Sequence, residues 1–105
     1  MENLKGFQRA YLRGLANRLD AIFQIGKDGI GESFIVQVDE ALEKRELIKL
    51  CILENSEENP KQAAELLARG TNSQSVQVIG RKIVLYREAK EKENRRIVLP
   101  KVSKK

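Results

Sequence analysis

The sequence predicts an α/β domain in which helices pack on a four-stranded mixed sheet, in the order α-β-α-β-α-β-β. Three observations predict it. Apolar residues recur at three- and four-residue steps over 4–19, 32–45 and 59–70, the mark of helices with one buried face. Short apolar runs at 22–25 and 47–53 separate those helical stretches and suit strands. Two further β-rich runs flank Gly80-Arg81, a glycine-led pair of the kind that closes a two-residue hairpin. At 105 residues the chain is one domain, long enough to bury roughly 60–65% of its unfolded surface without staples.

In the first helix Leu4, Phe7, Leu12, Leu15, Ala16 and Leu19 form one apolar stripe. Lys5, Arg9 and Arg13 step by four and so make a basic stripe on a neighbouring face. Gly6 and Gly14 each cost such a helix about 1 kcal/mol relative to alanine, unless a backbone packs close or an anion approaches. Ile22 to Ile25 reads as a strand with Phe23 and Ile25 on one side. Phe34, Ile35, Val38, Ala41 and Leu42 line the second helix, while Glu32, Gln37, Glu40, Glu43 and Lys44 face away; Gly31 or Ser33 is its N-cap.

Leu47 to Leu53 is nearly all apolar, which suits a strand buried on both faces; Lys49 must reach out at an end or snorkel. After the polar loop Glu54–Glu58, Asn59-Pro60 opens the third helix, with asparagine as N-cap, proline at the first helical position and Gln62 at the capping-box position. Ala63, Leu66 and Leu67 face inward and Gly70 is expected as the C-cap. A polar linker, Thr71–Ser75, leads to the hairpin strands, Val76–Ile79 and Ile83–Tyr86, joined by a type II′ or I′ turn. Beyond Arg87 the pattern dissolves. Glu88 to Asn94 could hold a marginal helix, Ile97 to Leu99 a short docked segment, and Lys101 to Lys105 a disordered end. The domain is accordingly placed at 1–87 and a basic, partly disordered tail at 88–105.

Twenty Lys and Arg against fifteen Asp and Glu leave a net charge of +5, with a sequence pI near 9.5. Residues 88–105 carry +4 and residues 1–27 carry +3, so the middle of the chain is at −2. Positive charge gathered at the two ends points towards a polyanionic partner. The chain has no histidine and one cysteine, which excludes Cys/His zinc sites and histidine-based acid–base or nucleophilic chemistry. Cys51, inside an apolar run, reads as an inert buried thiol in a reducing compartment. No run approaches the ~18 apolar residues of a membrane span, and the N-terminus lacks a signal-peptide pattern; the expected location is cytoplasmic. Neither the Walker A spacing nor the G-x-G-x-x-G spacing is present, and the acids form no inward pair, so an enzyme is not expected.

The stretch with chemistry of its own is Gly26-Lys27-Asp28-Gly29. Glycine at 26 and 29 tolerates positive φ and lets another backbone come close. The helix beginning just beyond adds free N–H groups and a partial positive charge, which together suit a phosphate. The stretch is then either a G-x-x-G clamp on an RNA backbone or a plain strand-to-helix turn. Asp28 opposes the first reading by repelling phosphate at short range. With three Phe, two Tyr and no Trp, base stacking has little to work with. Tyr11 could stack on a base or lie part-buried, and Tyr86 and Phe23 read as core.

Leu12-Arg13, Ile25-Gly26-Lys27-Asp28-Gly29, Glu46-Leu47-Ile48-Lys49 and Val78-Ile79-Gly80-Arg81-Lys82-Ile83-Val84-Leu85-Tyr86-Arg87 stand in the order and spacing of the CRM domain. The chain resembles the bacterial stand-alone, YhbY-type members of that family from about Leu4 to Arg87. The resemblance implies an RNA-binding protein with a fold like that of the C-terminal domain of translation initiation factor three. It further implies association with precursors of the large ribosomal subunit; plant multi-domain relatives act in organellar intron splicing. Carried over by position, the family's loop matches Gly26, Lys27, Asp28 and Gly29. Its basic first-helix residues match Arg9 and Arg13, whose stripe Lys5 extends, and Lys49, Arg81 and Arg87 sit in its other motifs. Gly31 stands where many members have threonine or serine, which loosens the start of the second helix. Arg45 replaces a frequent histidine and keeps its charge at any pH.

The expectation is therefore a non-catalytic, monomeric RNA-binding protein with no cofactor, metal, membrane or small-molecule partner. Its RNA is expected to be ribosomal RNA in pre-50S particles. The alternative from another class is an interaction adaptor whose acidic second helix docks a ribosomal or regulatory protein.

Overall fold

The computed structural model describes residues 4–100, so the end expected to be disordered, 101–105, lies outside the described residues. Its elements are α1 (Gly6–Ala16), β1 (Phe23–Ile25), α2 (Glu32–Arg45), β2 (Leu47–Ile52), α3 (Pro60–Thr71), β3 (Gln74–Ile79), β4 (Lys82–Tyr86) and a single 3-10 turn at Lys92–Asn94. The strands form one mixed sheet in the order β1-β2-β4-β3. β1 runs parallel to β2, with Ile25 beside Ile52, and β4 is antiparallel to both its neighbours. The helices-on-sheet architecture read from the sequence is the one observed.

The apolar run of β2 needs two covered faces because strand side chains alternate. Ile48, Leu50 and Ile52, with Ile83 and Leu85 of β4, face a core closed by Val38 and Leu42 of α2 and Ala63, Ala64 and Leu67 of α3. Leu47, with Val84 and Tyr86, faces the opposite side, where Leu12 and Ala16 of α1 cover it. Leu50 has no exposure at all; truncating such a residue to alanine costs about 2–5 kcal/mol. α2 and α3 therefore share one face and α1 holds the other.

Several element ends differ from the sequence reading. α1 is shorter, because Leu4 donates its N–H to Gln74 Oε1 at 3.0 Å and Lys5 is extended. At its other end Arg18 and Leu19 fold back in tight turn bonds to Leu15 and Ala16. Among the described residues nothing packs against Gly6 or Gly14, and nothing there explains either glycine. Gly70 does not end α3: it lies inside the helix, where Ile35 of α2 approaches so closely that a Cβ would meet it at 3.2 Å. Asn72 takes the left-handed cap instead, asparagine being one of the few residues that tolerate it. Leu66 is exposed, not inward. The hairpin turn has positive φ at Gly80 alone, which is the type II′ pattern.

Residues 88–94 form no α-helix. Their N–H groups go elsewhere: Ala89 donates to Glu46 Oε2 at 2.7 Å, and Lys90 and Glu91 donate to the two oxygens of Glu43 at 2.8 and 3.0 Å. Arg96 and Ile97 then donate to Glu46 Oε1 at 2.7 and 2.8 Å. Ala89 is buried, and Ile97 and Leu99 pack against the α1-side core. Residues 88–100 thus run as a strap across the end of the sheet.

Candidate nucleic-acid interface

β1 ends at Ile25, whose carbonyl accepts the N–H of Leu53, and the chain turns at once. Gly29 donates its N–H to Gly26 O at 3.1 Å and has φ +73°. That N–H is spent on the turn and is not open to a phosphate. No hydrogen bond within the described residues engages the N–H groups of Lys27 and Asp28. Gly31 caps α2 in extended conformation with no side-chain cap, so the first-turn N–H groups stay open as well. Loop and helix start border a cleft of about 400 Å³ lined by Gln24, Gly26, Lys27, Gly29, Ser33 and Gln37, among others. Asp28 lines it too.

Behind the loop, a Cβ on Gly29 would stand 2.8 Å from Glu58 Oε2. Gly29→Asp therefore tests two things at once: it strains a positive-φ residue and sets one carboxylate against another. An unfolding midpoint measured in urea should show a loss of about 1–2 kcal/mol. Lys27→Gln is the cleaner probe, because Lys27 is exposed and surface exchanges usually stay within about 0.5 kcal/mol.

The β3–β4 turn comes to the same end of the sheet. Ile52 donates to Arg81 O at 2.8 Å, and Arg81 Nη1 donates to Leu53 O at 3.2 Å, leaving the rest of an exposed guanidinium free. Glu54, Glu57 and Glu58 on the loop after β2 share this end and limit its positive charge.

The basic stripe of α1 lies at the other end. Arg9 Nη1 donates to Ser75 O, so that side chain is partly a brace; Arg13 is half-buried and Lys5 exposed. Leu47, under α1, is five ladder positions from Ile52, beside the glycine loop; this is a separation of about 17 Å. Lys49 and Lys82 fall between, both on the α1 face by alternation from Leu47 and Val84, Lys49 half-buried and Lys82 exposed. Lys49 thus reaches the surface from mid-strand. Tyr11 is exposed, whereas Tyr86 is buried and Phe23 packs edge-on against Phe34 at 5.5 Å. Burial beside Glu46 and Glu88 pushes the Tyr86 hydroxyl up to about 12.

Arg87 is a correction. Its side chain is only 3% exposed. The guanidinium pairs with Asp39, donates to Thr71 O at 2.8 Å and Asp39 O at 3.1 Å, and lies 3.5 Å from Glu43. A guanidinium so enclosed holds α2, α3 and β4 together and offers nothing to a phosphate. Among the described residues its Nε is the one buried side-chain polar atom without a partner.

Sequence reasoning missed the two carboxylates that hold the strap. Hydrogen bonds from the Asn94 side chain and from the N–H groups of Lys90 and Glu91, with Arg87 alongside, bring Glu43 down to about 2 against the opposing effect of burial. A carboxyl depressed in the folded state stabilises fully above its unfolded value near 4.5 and loses that contribution as pH falls towards 2. The protection of the Lys90 and Glu91 amides, taken relative to their intrinsic exchange at each pH, should therefore fall between pH 4.5 and 2, and Glu43→Gln should remove that pH dependence. Among the described residues no group of three metal-ligating side chains converges, and no helix is long and apolar enough to cross a membrane.

The model of the CRS1/YhbY (CRM) domain matches residues 4–87. The chain is 50% identical over 97 residues to "Probable RNA-binding protein YqeI" of Bacillus subtilis, covering 92% of this chain and 99% of that one. It is 32% identical over 91 residues to an RNA-binding protein of Haemophilus influenzae, covering 87% and 92%. The solution structure of the hypothetical protein SAV1595 from Staphylococcus aureus superposes with a TM-score of 0.74 at 51% identity, covering 93% of this chain and all of that one. A motif order that spans both ends of the sheet and a fold shared at that identity lead to one assignment: the chain belongs to the CRS1/YhbY (CRM) domain family.

Proposed function

We propose that the protein is a non-catalytic, monomeric, cytoplasmic binder of structured RNA, acting on ribosomal RNA in large-subunit (pre-50S) assembly. RNA binding is supported by the names of its relatives. The single observation that carries the site is the cleft where the unpaired N–H groups of Lys27 and Asp28 meet the uncapped start of α2. Those donors take a phosphate, and Lys27 adds charge. Lys49, Arg81 and the α1 stripe of Lys5, Arg9 and Arg13 follow the neighbouring phosphates across the α1 face. Arg87 has no part in this.

The grip is on the backbone, because the exposed aromatics are few and Asp28 and Glu58 keep the loop itself weak. About five engaged phosphates predict a salt slope near −3.5 on a single strand. A slope near zero would remove the electrostatic clamp. In a sucrose gradient of lysate the protein should sediment with large-subunit precursors and leave them after nuclease. Retention on a stoichiometric protein after nuclease would support an adaptor instead.

A further inference from the structure

At the end of α2 opposite the glycine loop, Lys44, Arg45 and Arg96 border a crevice of about 430 Å³ floored by Leu19 and Leu47. We propose that this crevice is a second RNA-backbone anchor, which rests on the RNA reading above and fixes a minimum length for the RNA that the protein holds.

Among the described residues no carboxylate lines the crevice. The nearby acids are committed or lie outside the lining: Glu43 and Glu46 direct their oxygens into the strap, and Glu40 and Asp20 are exposed and do not line the crevice. None of the three cations has an ion pair among the described residues. Arg96 is held in place, its main-chain N–H on Glu46 Oε1 and its Nε on Lys44 O at 2.7 Å. Among the described residues both Nη groups are left to donate, a fork that matches phosphate oxygens. A helix C-terminus alone accounts for Lys44 and Arg45, since cations there complement the dipole. It does not account for Arg96, which comes from the strap. Three unpaired like charges around one crevice repel each other, and an anion between them removes the repulsion.

α2 has 14 residues, so the two anchors stand about 20 Å apart. At ~3.4 Å per nucleotide of a stacked strand, that is on the order of six nucleotides. Lys49 lies between the two ends on the sheet. RNA of four nucleotides can then fill one anchor, and a strand of roughly sixteen reaches both.

The test uses the full chain, a labelled single-stranded tetranucleotide and an about 16-nucleotide strand, with affinity followed against salt. Neutralising Lys44→Gln, Arg45→Gln and Arg96→Gln together should reduce the slope on the long strand by about 2 and weaken it roughly tenfold, at ~0.7 per phosphate lost. Tetranucleotide binding should fall far less, because the glycine loop still takes a tetranucleotide. The Lys44→Gln, Arg45→Gln pair leaves the Arg96 brace intact, so it gives the smaller version of the same result should the triple variant melt early. Lys44→Arg with Arg45→Lys keeps both charges and should bind as the parent does. If Lys27→Gln weakens RNA binding while the folded triple variant binds the long strand normally, the second anchor is overturned and the RNA reading stands. If the parent binds neither RNA in a salt-dependent way, both fall. Loss of binding to polyglutamate with RNA binding intact also overturns the anchor, in favour of an acidic protein segment.

Discussion

Glu46→Ala is expected to lower the unfolding free energy by about 3–5 kcal/mol, more than any surface substitution. The residue has no exposure, and its two oxygens accept three strap N–H groups at 2.7, 2.7 and 2.8 Å. Removing the carboxylate orphans all three donors, that of Ala89 buried and those of Arg96 and Ile97 part-buried, at a cost of about 1–3 kcal/mol for a buried one and less for the others. The strap then loses its hold, and Ala89, Ile97 and Leu99 come off the core. For a domain of this size the melting temperature should fall roughly 4–8 °C per kcal/mol. Glu46→Gln keeps one acceptor but turns an NH₂ towards donors, so it should lose about 2 kcal/mol. Glu46→Gly separates backbone from side chain. Glu46 has φ +68°, a conformation that costs a non-glycine residue about 1–3 kcal/mol. Glycine relieves that strain and still loses the carboxylate, so it should fall between alanine and the parent. A change under about 1 kcal/mol for Glu46→Ala would mean the strap contributes nothing to the fold.

That dependence shows which parts of the structure a sequence makes legible. The start of α3 was readable because its signals are local: Asn59 Oδ1 accepts Gln62 N at 3.1 Å, three residues on. The sheet was readable because strand alternation and the Gly80-led turn are local too. The strap was not, since its acceptors stand about fifty residues earlier and a run of mixed charge looks the same whether its N–H groups face water or a buried carboxylate. Arg87 failed for a related reason. A cation inside a motif carries no sign of whether it faces in or out. The available hint was its place after Ile83–Tyr86, a strand covered on both faces, with Asp39 and Glu43 one helical turn apart on α2. The glycine loop was half legible: its turn was foreseen, but the Gly29 N–H spent on Gly26 depends on a geometry that four residues do not specify. Lys44 and Arg45 were visible as charges, and only the folded strap brings Arg96 to them.

The charge pattern also explains why the proposed interface must be spread out. Acids from the loop after β2 crowd the glycine end, and Arg9 is partly engaged as a brace. No single cation there can dominate, so affinity must be the sum of several modest phosphate contacts. That makes combined substitutions more telling than single ones.

Lys27→Glu with Lys49→Glu is therefore expected to weaken RNA binding about a hundredfold, by removing two phosphate contacts and adding two repulsions. The two sites are independent. By register Lys49 stands four to five ladder positions from the loop, roughly 15 Å and beyond the ~8 Å screening length at physiological salt. Their effects should add, at about tenfold each. Lys27 is exposed, so its reversal should leave the melting curve within about 0.5 kcal/mol of the parent. Lys49 is half-buried beside Val84, and losing its aliphatic stem should cost somewhat more without unfolding the sheet. Arg87→Lys supplies the opposite control. A lysine cannot reproduce the fork that reaches Asp39, Thr71 and Glu43, so stability should drop by several kcal/mol while the salt slope stays unchanged. Should the double reversal leave both affinity and slope intact, RNA does not cross the α1 face from the glycine loop. The phosphate-binding surface would then have to be sought elsewhere on the molecule.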